Sequence, residues 1–159
     1  MLVFHRGIAA MMRAFILLCA VTASAVIGWA ALGGSAESVA ADQVKFQAKR
    51  TLVAMPEYTV HEISRADGGM IREYVTPAGK VFAVSWSGPA LPDIAQLLGS
   101  YQAEFRDTLR AQPKSFGRRP AAVHNSDLVV ETGGHMRAFQ GRAYINSMLP
   151  SGVSPETIK

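Results

Sequence analysis

Hydrophobic and polar residues alternate in the middle of the chain in a way that is typical of β-strands. Residues 58–64 and 70–75 are rich in β-branched and aromatic residues, which favour strands. Asp67-Gly68-Gly69 lies between the two segments and supplies the positive φ angles that a tight turn needs. The pattern therefore predicts a β-hairpin over residues 58–75.

A third strand is predicted after a second turn. Thr76-Pro77-Ala78-Gly79 has proline at its second position and glycine at its fourth, which is a common composition for a β-turn. Strict alternation in residues 80–86 puts the large side chains on one face and the small ones on the other: Phe82, Val84 and Trp86 against Val81, Ala83 and Ser85. We expect this strand to lie in the centre of a sheet that a helix covers on one face.

The next segment has the periodicity of a helix. Apolar residues recur at intervals of three and four over residues 91–109. Pro92 suits the first turn of a helix, and Asp93 suits the positively polarised N-terminal end. The sequence predicts one amphipathic helix that continues through Gly99 to about Arg110.

A second hairpin is predicted near the end of the chain. Residues 127–132 and 136–146 have the composition of strands, and Gly133-Gly134 between them indicates a tight turn. Together these elements predict an α+β fold. Its small antiparallel sheet has about five strands, formed by the three-stranded meander and the C-terminal hairpin, and packs against one main amphipathic helix.

The first 30 residues have the pattern of an export signal. Residues 1–13 carry basic residues and no acidic one, residues 14–31 are uncharged, and Gly28-Trp29-Ala30 offers small residues for cleavage after Ala30. We predict a signal peptide over residues 1–30 and a periplasmic or secreted protein. The alternative is an uncleaved inner-membrane anchor, because the apolar run falls within the roughly 17–25 residues that span a bilayer.

The rest of the chain is divided into two parts. Residues 31–57 form an N-terminal segment with a short helix over about 36–49 and a linker, and residues 58–159 form a single α+β domain.

Cys19 is the only cysteine and lies in the signal segment, so the processed chain has no disulfide and no cysteine-based zinc site.

The charge of the processed chain is mild. Removing two of the 16 Lys and Arg residues with the signal leaves 14 against 12 Asp and Glu. No basic stripe with interleaved aromatic residues is present, which argues against nucleic acid as a partner.

Two glycine pairs are followed by similar residues. Residues 68–74 and 133–139 both read Gly-Gly, any residue, aliphatic, Arg, any residue, aromatic. One interpretation is a duplicated hairpin, in which Arg72 and Arg137 occupy equivalent sheet positions. The other is that Gly-Gly hairpins constrain their neighbours, so that similar patterns arise by chance.

Several segments resemble a bacterial family known only as domain of unknown function 2844. The longest are Tyr58-Thr59-Val60-His61-Glu62, Arg72-Glu73-Tyr74-Val75, Gly133-Gly134-His135-Met136-Arg137 and Gly141-Arg142-Ala143-Tyr144, and shorter ones run from Ala31 to Val153 in the same order. The resemblance implies an exported bacterial protein of this architecture. It implies no activity and no catalytic residue.

Basic residues supply the first candidate site. Arg118 and Arg119 lie in a basic segment, and Arg72 and Arg137 would join them as an anion-facing patch. We predict a non-enzymatic binding or accessory module, whose partner is another exported protein or an anionic envelope component. The alternative interpretation of these side chains is a solvated surface that keeps the protein soluble.

A periplasmic hydrolase-like enzyme is the alternative function, and a membrane-tethered accessory subunit is the third. The enzyme would use a histidine with a carboxylate, and its candidate residues are His61, His135, Glu62, Glu73 and Asp127. Glu62 and Glu73 would face each other across the first hairpin and perturb each other's pKa.

The sequence supports no catalytic residue, metal or cofactor directly. It has no Gly-x-Ser-x-Gly motif and no phosphate-binding glycine loop. Asp127 and His135 would lie at opposite ends of a strand, roughly 17–20 Å apart, which argues against a shared metal. We therefore predict none of the three.

Overall fold

A single antiparallel sheet forms the central layer of the protein. The computed structural model describes residues 32–36, 49–112 and 122–159. In chain order the strands are β1 (Lys49–Ala54), β2 (Thr59–Ser64), β3 (Met70–Val75), β4 (Val81–Gly88), β5 (Ala122–His124), β6 (Leu128–His135) and β7 (Ala138–Ile145). Across the sheet their order is β1-β2-β3-β4-β7-β6-β5, and each neighbouring pair is antiparallel.

The predicted α+β class is confirmed, but the sheet has seven strands rather than about five. The two additional strands lie at its edges. β1 falls in the segment predicted to be a helix end and a linker, and β5 has only three residues. Edge strands bury little, so they lack the strong alternation that identifies the central strands. The predicted signal peptide and residues 37–48 of the predicted short helix lie outside the described residues.

Helices cover one face of the sheet. Helix α1 (Ile94–Leu98) is followed by a 3-10 turn (Gly99–Tyr101) and helix α2 (Gln102–Ala111). The Asp93 side chain accepts a hydrogen bond from the Gln96 N–H at 3.1 Å, which caps α1 as the sequence predicted. The predicted main helix is confirmed over residues 94–111, but it is not continuous, because a φ of +51° at Gly99 interrupts the helical backbone.

The sheet has two apolar faces, each with its own core. On the helix face, the buried side chains include Ile63, Ile71, Val84, Leu97 and Leu128. On the opposite face, residues 149–159 pack across the strands, and we call them the tail segment and this face the tail face. The tail-face core is formed by Val60, Tyr74, Phe82, Val129, Tyr144 and Ile158.

A β-bulge in β4 changes which side chains share a face. Tyr74 pairs with Ala83 and Val75 pairs with Val81, so that Phe82 is an extra residue between two paired ones. Phe82 consequently belongs to the tail-face core, and Val81 packs with the helix-face core. The prediction from strict alternation was therefore wrong for these two residues, because a one-residue insertion reverses the order of the faces.

The C-terminal hairpin turns three residues later than predicted. Strand β6 continues through Gly133 and Gly134 to His135, which pairs with Ala138, and the turn consists of Met136 and Arg137. A Cβ atom on Gly134 would lie only 2.0 Å from the Ala138 carbonyl oxygen. The close approach of β7 and a φ of +107° therefore both require glycine at position 134, although it lies in a strand and not in the turn.

The first described residues belong to the fold. Leu32 is 1% exposed, and its N–H donates a hydrogen bond to the Leu97 carbonyl oxygen at 3.0 Å. The Gly33 N–H donates to the Val81 carbonyl oxygen at 2.8 Å. The residues just after the predicted cleavage site thus contact both the helix and the start of β4. None of the helices in the described part of the chain has the length and hydropathy of a membrane span.

Candidate functional site

A row of charged and polar residues crosses the centre of the tail face. In the strand register, Glu62 is opposite Arg72, Arg72 is opposite Ser85, Ser85 is opposite Arg142, and Arg142 is opposite Glu131. Directly opposed residues point to the same face of a sheet. We call these five residues the arginine row. Ser85 lies at its centre, with an arginine and then a glutamate on each side.

Each arginine of the row is held by the glutamate beside it. Arg72 Nε donates to Glu62 Oε1 and Arg142 Nε donates to Glu131 Oε2, each at 2.7 Å. These contacts orient the guanidinium groups and leave their Nη atoms directed toward other acceptors. The Arg142 guanidinium also lies 5.9 Å from the ring centre of Tyr144, which further fixes its position.

The tail segment binds to the arginine row through main-chain oxygens. The Lys159 main-chain oxygen accepts hydrogen bonds from Ser85 Oγ at 2.7 Å, Arg72 Nη1 at 3.0 Å and the Tyr74 hydroxyl at 3.0 Å. Arg142 Nη1 donates to the Pro155 carbonyl oxygen at 2.8 Å. Three strands thus supply donors to the peptide backbone that lies across them.

A groove of about 520 Å³ lies beside the docked end of the tail segment. Its lining includes Ser87, Gly133, Gln140, Arg142, Ile158 and Lys159. Three of these residues are opposite one another in the register: Ser87, Gln140 and Gly133. Each is two residues from the member of the arginine row in its own strand. They continue the tail face beyond the arginine row, and the volume is in the range of ligand sites, roughly 300–1,000 Å³.

His61 and Glu73 lie together on the helix face. They are opposite each other in β2 and β3 and are 5% and 0% exposed. Burial, reinforced by the nearby Arg50 charge, lowers the pKa of His61 below its usual 6.5. No hydrogen-bond partner of His61 Nδ1 is found among the described residues.

The predicted pairing of Glu62 with Glu73 was wrong. Glu62 is opposite Arg72 on the tail face, whereas Glu73 is opposite His61 on the helix face. A shift of one residue in the register separates the two carboxylates onto different faces. Of the candidate enzyme residues, only His61 and Glu73 are therefore brought together.

Asp127 and His135 have separate surroundings. Asp127 accepts hydrogen bonds from the Ser147 N–H at 2.7 Å and the Ser147 hydroxyl at 2.8 Å, which joins the start of β6 to the chain after β7. His135 is exposed near the hairpin turn. Within the described ranges, no three histidine, cysteine or acidic residues are grouped so that they could hold a metal ion.

Of the predicted arginine patch, the structure describes Arg72 and Arg137, and it places them in different local structures. Arg72 lies within a strand, whereas Arg137 lies in the turn with a φ of +66°. Arg137 is five residues from Arg142, which corresponds to about 16 Å along a strand. The two arginines therefore do not occupy equivalent positions as the duplication interpretation required. Arg118 and Arg119 lie outside the described residues.

The arginine row itself was missed in the sequence. Arg142 is the true counterpart of Arg72, because both are opposite Ser85 and both have a glutamate on their other side. The sequence signal was a glutamate in one strand of each hairpin and an arginine in the other. It could be recognised only with the correct register.

The fold and the site define a class of α+β protein in which one face of a seven-stranded sheet is covered by helices and the other by the chain's own tail segment. The chain belongs to the family described as protein of unknown function (DUF2844), which matches residues 28–158 and confirms the resemblance in the sequence. No curated protein and no solved structure matches the chain.

Proposed function

We propose that this chain is an exported protein of the bacterial cell envelope and acts as a non-enzymatic binding or accessory module. The observation that carries the proposal is the arginine row, in which guanidinium and hydroxyl donors from three strands converge on main-chain oxygens. The groove continues this surface beyond Lys159 and offers further polar side chains to a partner. Export is supported by the charge and hydropathy pattern of residues 1–30.

Site-specific photo-cross-linking in a Gram-negative host tests this function. A photoreactive amino acid at Gln140 probes the groove, and the same amino acid at Arg106 is the matched control on exposed helix α2. We expect a discrete cross-linked partner from position 140 and none from position 106, together with an intact mass that begins near Ala31. Cross-links from position 106 alone would reject the tail face as the contact surface.

Two alternative functions predict different results. Full-length mass in a membrane fraction that resists a salt wash would support the membrane-tethered subunit. The enzyme alternative draws on the His61–Glu73 pair, but both side chains are almost fully buried, so a substrate would reach them only if the surrounding chain moved. Hydrolysis of an envelope substrate that is lost in His61→Gln would support it.

A further inference from the structure

We propose that the groove beside Lys159 docks an extended acidic peptide segment of a partner protein. This inference rests on the binding function proposed above and names the ligand class and its site. The ligand would lie beside the tail segment, with main-chain groups against Ser87 and Gln140 and a carboxylate near Arg142 and Lys159.

The first argument is that this face already binds a peptide. The tail segment is held through its main chain at Lys159 and Pro155 and through one buried side chain, Ile158, which is 1% exposed. Main-chain recognition combined with a side-chain pocket is the usual way in which proteins bind extended peptides. The groove provides the adjoining part of the same surface.

The shape of the groove also suits a backbone. Gly133 lies within strand β6 opposite Gln140, and a glycine inside a strand often marks a place where another backbone approaches closely. Ser87 and Gln140 are exposed beside it and offer a hydroxyl and an amide. Both groups can donate to and accept from peptide bonds.

The charges of the groove favour an acidic ligand. Arg142 and the exposed Lys159 are its cations. Glu131, the acidic residue of the lining, is already bound by Arg142 at 2.7 Å and lies 3.3 Å from His124 Nε2. Arg142 and Glu131 offset each other, so the remaining charge of the lining is the side-chain ammonium of Lys159, with which a partner carboxylate would pair.

Two substitutions in the full-length protein test the site without disturbing the tail segment. Lys159→Glu reverses a charge, and the contacts of Lys159 with Tyr74, Ser85 and Arg72 use main-chain atoms that the substitution retains. Gly133→Thr places a strand-favouring side chain in the groove. Lys80→Glu makes the same charge change at an exposed residue outside the groove and is the matched control.

The probes are the blocked peptide Val-Asp-Val-Glu-Val and its neutral analogue Val-Asn-Val-Gln-Val, with a uronic-acid trisaccharide as a non-peptide carboxylate. We expect the acidic peptide to shift the amide NMR signals of Ser87, Gly133 and Gln140. Lys159→Glu and Gly133→Thr should each weaken binding by about tenfold or more, whereas Lys80→Glu should not.

Three results would overturn the inference: no shifts from the acidic peptide, equal binding of the neutral peptide, or binding of the trisaccharide alone. Failure of the inference is distinguishable from failure of the proposed function. If photo-cross-linking from position 140 persists in Gly133→Thr and Lys159→Glu, the binding module stands and the acidic peptide is rejected.

Discussion

Tyr74 and Lys159 form a reciprocal pair across 85 residues of sequence. The Tyr74 hydroxyl accepts a hydrogen bond from the Lys159 main-chain N–H and donates one to the Lys159 main-chain oxygen, each at 3.0 Å. The neighbouring Ile158 side chain is buried in the tail-face core. This combination fixes the end of the tail segment on the sheet and defines one wall of the groove.

Tyr74→Phe should loosen the tail segment while preserving the packing of the ring. The substitution removes both hydrogen bonds and keeps the ring contacts with Tyr58 and Phe82. We expect the free energy of unfolding to fall by about 1–2 kcal/mol, measured by urea denaturation. Tyr58→Phe on the same face is the control, and an equal loss in both variants would contradict a specific role of the pair.

Protonation of His61 should make the protein less stable in acid. Its pKa is lowered in the folded state by burial and by Arg50, so the folded protein binds fewer protons than the unfolded chain. The free energy of unfolding should therefore fall as the pH decreases below about 6.5. His61→Gln should flatten this dependence in denaturation curves between pH 5 and 7.5, and His135→Gln, at an exposed position, should retain it.

Gly141→Ala should be strongly destabilising although it adds a single methyl group. An added Cβ would lie 2.3 Å from Trp86 Cζ2 and 2.6 Å from the Glu131 carbonyl oxygen. We expect a loss of about 1–3 kcal/mol and a change in Trp86 fluorescence, because the indole must move. An unchanged free energy of unfolding and an unchanged Trp86 fluorescence in Gly141→Ala would argue against the steric cause.

Arg137→Gly should stabilise the hairpin turn. Arg137 has a φ of +66°, which costs an ordinary side chain about 1 kcal/mol relative to glycine. The melting temperature should therefore rise in Arg137→Gly and should not rise in Met136→Gly at the neighbouring turn position. No gain in Arg137→Gly would mean that contacts of the arginine side chain compensate for the strain.

Elements that depend only on the local pattern of residues were predicted from the sequence. The pattern of residues 58–86 identified strands β2, β3 and β4, and Asp93 identified the start of α1. The face of Phe82 could not be predicted. Its bulge is defined by the pairing of β4 with β3, and the alternating pattern of β4 alone does not reveal it.

The candidate site depends on relationships that are distant in sequence. Pairing of Ser85 with both Arg72 and Arg142 requires the β4–β7 contact, which no local pattern encodes. Docking of Lys159 on Tyr74 is similarly remote. Arg72 and Glu62 were among the candidates in the sequence and both lie in the arginine row, but their faces and partners could not be inferred from spacing.

The order of the described strands also divides the sheet into two halves, which are joined by a single pair of neighbouring strands that we call the seam. Among the described strands, β4 and β7 are the sheet neighbours that do not follow one another in sequence. Residues 49–88 and 122–145 each build their strand pairs locally, and the seam joins them along Ala83–Gly88 and Phe139–Tyr144. Two separate fragments of the chain, divided between residues 112 and 122, should thus carry the complementary edges needed to reassemble as a split protein.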